Sequence, residues 1–351
     1  MATYVAENLN DPSLYFRIKL YEGNETNDNA ITWDETDTSM QPDLLWFKSR
    51  DNTQGNAFFD AVRGASLRLI TNEAGAEGTE ATNLDSFDSN GFTVDNEAIV
   101  NHDSMVCWGW KAGAGSGSSN TDGSINTTST SVSTAAGFSI STYTGTGSEA
   151  TVGHGLGATP HMIIIKRRDA SGTWHVYHKT LGADFVAAEL DTTAAKKDNA
   201  NFMNDTEPTS SVFTVNTYDE VNASSSPIVA YSFAPKQGYS KFGGYTGNGN
   251  ADGTFVYLGF RPAWVIIKRT DSTASWPITD SKRDIDNPIA DGLYSNTSEV
   301  TNSGTRYDFL SNGIKMRSTY SESNVSGATY IYAAFAEAPF VNSEGVPCNA
   351  R

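Results

Sequence analysis

An all-β protein, built from three diverged copies of a sandwich-like or barrel-like unit of roughly a hundred residues, is predicted by a pattern that recurs three times: a proline, a short apolar run and a closing lysine. The segments are Pro42-Asp-Leu-Leu-Trp-Phe-Lys48, Pro160-His-Met-Ile-Ile-Ile-Lys166 and Pro262-Ala-Trp-Val-Ile-Ile-Lys268. β-Branched and aromatic residues in so short a run indicate a strand covered on both faces, hence a central one. The proline opens the strand, where its missing N–H costs least, and the lysine is expected to end it in solvent.

The flanking landmarks keep register. Tyr143-Thr-Gly-Thr-Gly147 and Tyr245-Thr-Gly-Asn-Gly249 begin at one distance before their prolines, with Tyr21-Glu-Gly23 as a looser counterpart. Trp174 and Trp276 follow their lysines at a common offset, and Phe58 and Phe59 fall near that place in the first copy. Leu69, Leu190 and Leu293 then precede Phe92, Phe213 and Ile314 at nearly constant spacing. Each copy closes with a second apolar run, Met105-Val-Cys-Trp-Gly-Trp110, Pro227-Ile-Val-Ala-Tyr-Ser-Phe233 or Thr329-Tyr-Ile-Tyr-Ala-Ala-Phe335. Aromatics two apart in these runs share one face of a strand, the face toward the core.

These landmarks place the units at residues 1–113, 138–237 and 238–345, each a set of short strands at sandwich or barrel spacing, followed by a tail at 346–351. Helix is expected only from Gly182 to Lys197, where Ala and Leu are frequent, and as a short turn from Ala57 to Arg63. Residues 114–137 have the Gly/Ser/Thr composition of a flexible connector. Within them, the threonines of Thr127-Thr-Ser-Thr-Ser-Val-Ser-Thr134 and the turn signal Asn120-Thr-Asp-Gly123 predict an edge strand or a swapped arm.

The composition excludes several function classes. A net charge of −17 without a basic stripe repels nucleic-acid phosphates and anionic membranes. No apolar run approaches the ~18–20 residues of a membrane-spanning helix. The start MATYVAENLN has neither the basic nor the apolar region of a secretory signal, so assembly in a cytoplasm is expected. Two cysteines, Cys107 and Cys348, exclude a disulfide scaffold and leave one pairing open, with reduced thiols as the default.

Candidate chemistry is thin. His154, His161, His175 and His178 cluster in the second copy, but residues three apart on a strand face opposite sides, so His175 and His178 do not converge on a metal. His154 lies in Val152-Gly-His-Gly-Leu-Gly157, a Gly-rich stretch without a P-loop lysine, and reads as a turn. Asp34, Glu35, Asp37 and Asp191 could supply the carboxylate pair of a glycoside hydrolase, yet no motif singles them out. Neither EF-hand spacing nor a nucleophile elbow occurs. No enzymatic activity, cofactor or metal is therefore expected. The stronger lead is aromatic: Trp33, Trp174 and Trp276 on loops could stack on a sugar face, although the repetition of Trp174 and Trp276 also suits a packing role.

From Pro42-Asp-Leu-Leu-Trp-Phe-Lys-Ser-Arg50 through Phe59-Asp-Ala-Val-Arg-Gly64, Gly91-Phe-Thr-Val94 and Trp108-Gly-Trp-Lys-Ala-Gly113, the chain resembles a module of structural and tail-fibre proteins of marine tailed phages. The resemblance continues through Asn120-Thr-Asp-Gly-Ser-Ile125, Ala136-Gly-Phe-Ser-Ile140, Tyr143-Thr-Gly145 and Gly153-His-Gly-Leu-Gly157 to Pro160, and reaches the third copy by internal similarity. It implies a structural protein exposed on a virion, in contact with other virion proteins. The first expectation is a tail-fibre or tail-tip component that binds a host surface glycan or protein. A capsid decoration or cement protein is the alternative, and a polysaccharide depolymerase a third. A homotrimer is expected, because closed symmetry gives a short fibre or cement protein stability and avidity.

Overall fold

The three lysine-ending runs form inner strands of three antiparallel sheets in the computed structural model, which describes residues 9 and 11–336 except 36 and 187. The first unit contains β1 (Phe16–Tyr21), β2 (Asn29–Thr32), β3 (Leu44–Ser49), β4 (Ala57–Asp60), β5 (Leu67–Ile70), β6 (Gly78–Thr79), β7 (Leu84–Asp88), β8 (Gly91–Val94) and β9 (Met105–Trp110). Its main sheet runs β1-β9-β3-β4-β5-β6, and β2-β8-β7 form a second layer.

The second unit contains β10 (Ser129–Ser133), β11 (Phe138–Thr144), β12 (Ala150–Gly153), β13 (Met162–Arg167), β14 (His175–His178), β15 (Phe185–Val186), β16 (Ala188–Glu189), β17 (Lys197–Asp198), β18 (Val212–Val215) and β19 (Pro227–Phe233). Its main sheet is β10-β11-β19-β13-β14-β16, with β12-β18 and β15-β17 as separate pairs. The third contains β20 (Ser240–Thr246), β21 (Phe255–Tyr257), β22 (Pro262–Arg269), β23 (Pro277–Asp280), β24 (Ile289–Tyr294), β25 (Asn302–Leu310), β26 (Gly313–Met316) and β27 (Thr329–Ala336). Here all eight strands join in one curled sheet, β20-β27-β22-β23-β24-β25-β26-β21.

One succession recurs in every unit: β1-β9-β3-β4, β11-β19-β13-β14 and β20-β27-β22-β23. Its register recurs too, with Phe16 opposite Trp110, Phe138 opposite Phe233 and Ser240 opposite Phe335. The lysine strands are apolar on both faces because both faces are covered. Leu44 and Trp46 point into a core shared by all three sheets, which also takes Ile164, Tyr231, Phe233, Trp264, Ile266 and Phe335. Leu45 and Phe47 point the other way, into the first unit's own core with Phe59 and Phe92. The second and third units have private cores of the same kind, around Ile163, Ile165 and Phe213, and around Val265, Ile267 and Ile314.

The contacts between units run in a cycle. Glu77 N–H donates to Arg168 O (2.8 Å), Lys196 N–H to Thr270 O (3.0 Å) and Thr301 N–H to Arg50 O (2.8 Å), so the first unit grips the second, the second the third and the third the first. Closure is thus completed within one chain.

Several expectations need correction. Gly182 to Lys197 is not helical: it carries β15 and β16, and Ala188 and Leu190, two apart, both enter the shared core, a spacing that a strand supplies and a helix does not. Ala57 to Arg63 is the strand β4 followed by a turn in which the Arg63 guanidinium bonds back to Asp60 (2.5 Å). Residues 129–133 of the connector are the edge strand β10, paired with β11 of the same chain, so the second unit's sheet begins inside the connector rather than at 138. Lys48, Lys166 and Lys268 do not reach solvent and are fully buried. Cys107 is a buried free thiol in β9, while Cys348 and the tail at 346–351 lie outside the described residues.

Candidate functional site

Each buried lysine crosses a unit boundary. Lys166 Nζ donates to Ala74 O of the first unit (3.0 Å) and to Gly172 O. Lys268 Nζ donates to Thr193 O of the second unit (3.0 Å) and Ala274 O (2.5 Å). Lys48 Nζ donates to Thr297 O of the third unit (2.9 Å) and Asn56 Oδ1 (2.7 Å). Burial holds the three amines far below the usual lysine range, at about 7 for Lys48, about 8 for Lys166 and about 7 for Lys268. These lysines clamp the units together and lack access to a substrate.

The tryptophans expected to bind a sugar belong to the same clamps or to the core. Trp174 is fully buried under Lys166, and its Nε1–H donates to Ile70 O of the first unit (3.0 Å). Trp276 is buried under Lys268 and donates to Glu189 O of the second unit (3.1 Å). Trp33 is also buried, donates to Met40 O (2.8 Å) and lies so close over Gly109 that a Cβ there would meet its ring at 2.6 Å. None of the three offers a face on which a sugar could stack. In the first unit, the counterpart of Trp174 and Trp276 is Asn56, not Phe58 or Phe59. The backbone bonds Thr71 N–H to Asn56 O, Leu190 N–H to Trp174 O and Ser295 N–H to Trp276 O fix that equivalence. Asn56 Nδ2 donates to Tyr294 O of the third unit (3.0 Å), as the two indoles do to their neighbours.

The histidines diverge as their strand spacing requires. His178 Nδ1 accepts from Thr180 N–H (3.3 Å), so its proton sits on Nε2 and is donated to Tyr332 O of the third unit (3.2 Å). Burial lowers its pKa to about 4. His175 Nε2 instead meets Glu220 Oε2, and Thr173 Oγ1 lies 2.9 Å from the same ring nitrogen. Thr173, His175 and Glu220 resemble the members of a nucleophilic triad, but hydroxyl and carboxylate share one nitrogen while the other is buried without a partner, so no proton can pass through the ring. Burial alone would raise the Glu220 carboxyl, yet the bonds from His175 and Thr173 outweigh it and bring it down to about 2.

His154 is buried in its turn and accepts Leu156 N–H at Nδ1 (3.2 Å). Of the carboxylates weighed as a hydrolytic pair, Asp34 and Glu35 share Lys282, at 3.8 and 3.5 Å, while Asp191 is engaged elsewhere. Asp34 also pairs with Lys19, and Asp191 accepts Trp174 N–H (3.0 Å). Among the described residues no group of three His, Cys, Asp or Glu could hold a metal ion.

The open feature on this closed body lies in the third unit, where the curled sheet stops short of a barrel. At one end β20 and the residue before β21 are joined by Thr254 Oγ1–H donating to Thr246 O (2.9 Å). Toward the other end the two edges part around a cleft of about 320 Å³, bridged by Lys241 Nζ donating to Tyr257 O (2.7 Å). Lys236, Ser240, Lys241, Tyr257 and Phe260 line it, with no carboxylate among the described lining residues. Tyr257 is 59% exposed and Phe255, on the same face of β21, is 44% exposed, the form of an aromatic ledge beside two cations. Sequence reading missed it because Phe255-Val-Tyr257 has the alternation of a strand with a buried aromatic face, whereas the buried face is that of Val256.

No curated protein and no solved structure matches the chain. A family model described as a domain of unknown function, DUF7483, matches residues 11–339, and the chain belongs to that family.

Proposed function

We propose that the protein is a non-enzymatic structural component of a phage virion, a tail-fibre or tail-tip element that contacts the host surface, with the third-unit cleft as its docking face. The observation that supports this most is the cyclic clamp: three sheets locked around one core make a rigid block, and rigid β scaffolds are how loops and edges are presented for binding. The resemblance to phage modules gives the block its setting. The decoration-protein reading draws on the same closure, since a compact block suits a capsid cover as well as a fibre tip.

Antibody labelling of intact particles in the electron microscope is expected to put the chain at the tail. Excess purified protein is then expected to compete with particles for host adsorption. Labelling spread over the capsid, with no competition, moves the assignment to decoration.

The proposed assembly is a homotrimer, for the stability and avidity of closed symmetry, with each protomer already closed on its own core. Light scattering is expected to return three times the 37.7 kDa of a single chain, and a single-chain mass would overturn the trimer.

A further inference from the structure

The second unit shows what a filled seam looks like. Its strands β11 and β12 correspond to β20 and β21, since Val152 faces Phe213 as Val256 faces Ile314, and His154 N–H reaches Ser211 O as Leu258 N–H reaches Asn312 O. In the second unit the connector occupies the place between them. β10 pairs along the outer edge of β11, and Ile125 forms a parallel bridge to Val152. Ile125 N–H donates to Thr151 O (2.9 Å), and Thr151 N–H donates to Ser124 Oγ (2.9 Å). Both polar groups of Thr151 are thus satisfied by an extended segment lying on the edge. In the third unit only residues 234–239 separate β19 from β20, and among the described residues β21 pairs with β26 alone. Phe255 stands where Thr151 does, with its backbone turned to the open edge.

We propose that this open seam is the docking site for an extended, carboxylate-bearing segment of a partner protein, which adds to the edge of β21 as the connector adds to β12. The proposal rests on the cleft being a docking face, and it names the occupant. Strand addition follows from the equivalence with the second unit, because main-chain bonds to an exposed edge supply affinity and alternate side chains supply choice. The charge preference follows from Lys236 and Lys241, a cationic pair with no carboxylate among the described lining residues, on a chain of net charge −17. An acidic segment, repelled by the rest of the surface, is drawn to this place.

The test uses the full chain and two fluorescently labelled twelve-residue peptides, one alternating Glu and Thr, the other Lys and Thr. The Glu/Thr peptide is expected to bind with a dissociation constant in the micromolar range, about tenfold or more tighter than the Lys/Thr peptide. The amide of Phe255 should then exchange more slowly with solvent. Lys236→Glu with Lys241→Glu is expected to lower affinity at least about tenfold with no more than a small drop in melting temperature, that of the lost Lys241–Tyr257 bond, because both side chains lie at the cleft rather than in a core. Should that double variant unfold, Lys236→Gln with the exchange readout serves in its place. Absence of binding at millimolar peptide, equal binding of the two peptides, or binding without slower exchange at Phe255 would each overturn the proposal. Binding of dextran sulfate but not of the Glu/Thr peptide would overturn it in favour of a polyanion site. Because no particle is involved, the result is separate from where labelling places the chain on a virion.

Discussion

Trp174→Ala is expected to destabilise the protein by about 3–5 kcal/mol, the usual cost of emptying a buried tryptophan site, and to leave any surface recognition untouched in the fraction that stays folded. The ring is fully buried, packs edge-on against Phe58 at 5.4 Å and donates across the unit boundary to Ile70 O. Its removal therefore leaves a cavity between units and breaks a bond across the boundary, although Glu73 N–H still reaches Ile70 O (3.4 Å). Trp276→Ala should behave alike, since its indole donates to Glu189 O in the same cyclic arrangement. Urea unfolding followed by intrinsic fluorescence measures the effect. Because these contacts lie between units rather than inside one, the variant should unfold in a single transition at lower urea, with no one unit melting ahead of the others. A wild-type midpoint combined with weakened host adsorption would reinstate the ring as a ligand platform.

How much of this could be read from the sequence differs between backbone and side chains. The strands themselves were legible because the Pro-to-Lys runs and the closing aromatic runs are local patterns, but their order in the sheets was not: that β3 lies beside β9, β13 beside β19 and β22 beside β27 depends on contacts far apart in the chain. The all-β class followed from the same runs. What could not be read was the third dimension of the repeat. A lysine at a strand end ordinarily reaches water. Here the neighbouring unit's loop covers it, and only the assembled ring supplies Ala74, Thr193 and Thr297 as acceptors. The tryptophans were misplaced for the same reason, since a residue just beyond a strand end looks exposed until a second unit is laid against it.

Asn56 and the helical expectation teach a related lesson. The offset that separates Lys166 from Trp174 and Lys268 from Trp276 falls on Asn56 in the first copy, and Phe58 and Phe59 were put in the place of the indoles because an aromatic was sought where the structure needed a donor. Asn56 meets that need with its amide, as Trp174 and Trp276 do with their N–H groups. Between 182 and 197, Ala and Leu raise helix propensity, but a propensity of a few tenths of a kcal/mol per residue yields to the burial of Ala188 and Leu190 in the shared core. The third-unit cleft was invisible for a different reason. It arises because, among the described residues, no segment takes the place in the third unit that the connector fills in the second, and recognising such a gap requires the register of both sheets.

The buried lysines should make stability rise with pH. Their amines titrate at about 7, 8 and 7 in the folded chain, against the ordinary value near 10.5 in the unfolded one. Between these limits the unfolded chain holds more protons, so raising the pH favours the folded state, and the gain is complete only above the unfolded value. Below about pH 7 both states are protonated at these sites, and the cost of burying the charge is present in full. Deprotonation need not break the clamps, because a neutral amine keeps two N–H donors and each Nζ has two acceptors. Buried tyrosines such as Tyr231 and Tyr239, whose hydroxyls burial pushes up, act in the opposite sense once the unfolded phenols ionise near pH 10. The comparison that isolates one clamp is Lys268→Met, which keeps the stem's packing and removes the titration. Relative to this variant, the wild-type chain is expected to gain on the order of 1–3 kcal/mol as pH rises from about 7 to about 10, because each unit of pKa displacement corresponds to about 1.4 kcal/mol and relaxation consumes part of it. Urea midpoints of both proteins across that range give the difference directly. A difference that stays flat would mean that Lys268 keeps its proton with an ordinary pKa, its charge held by the carbonyls of Thr193 and Ala274.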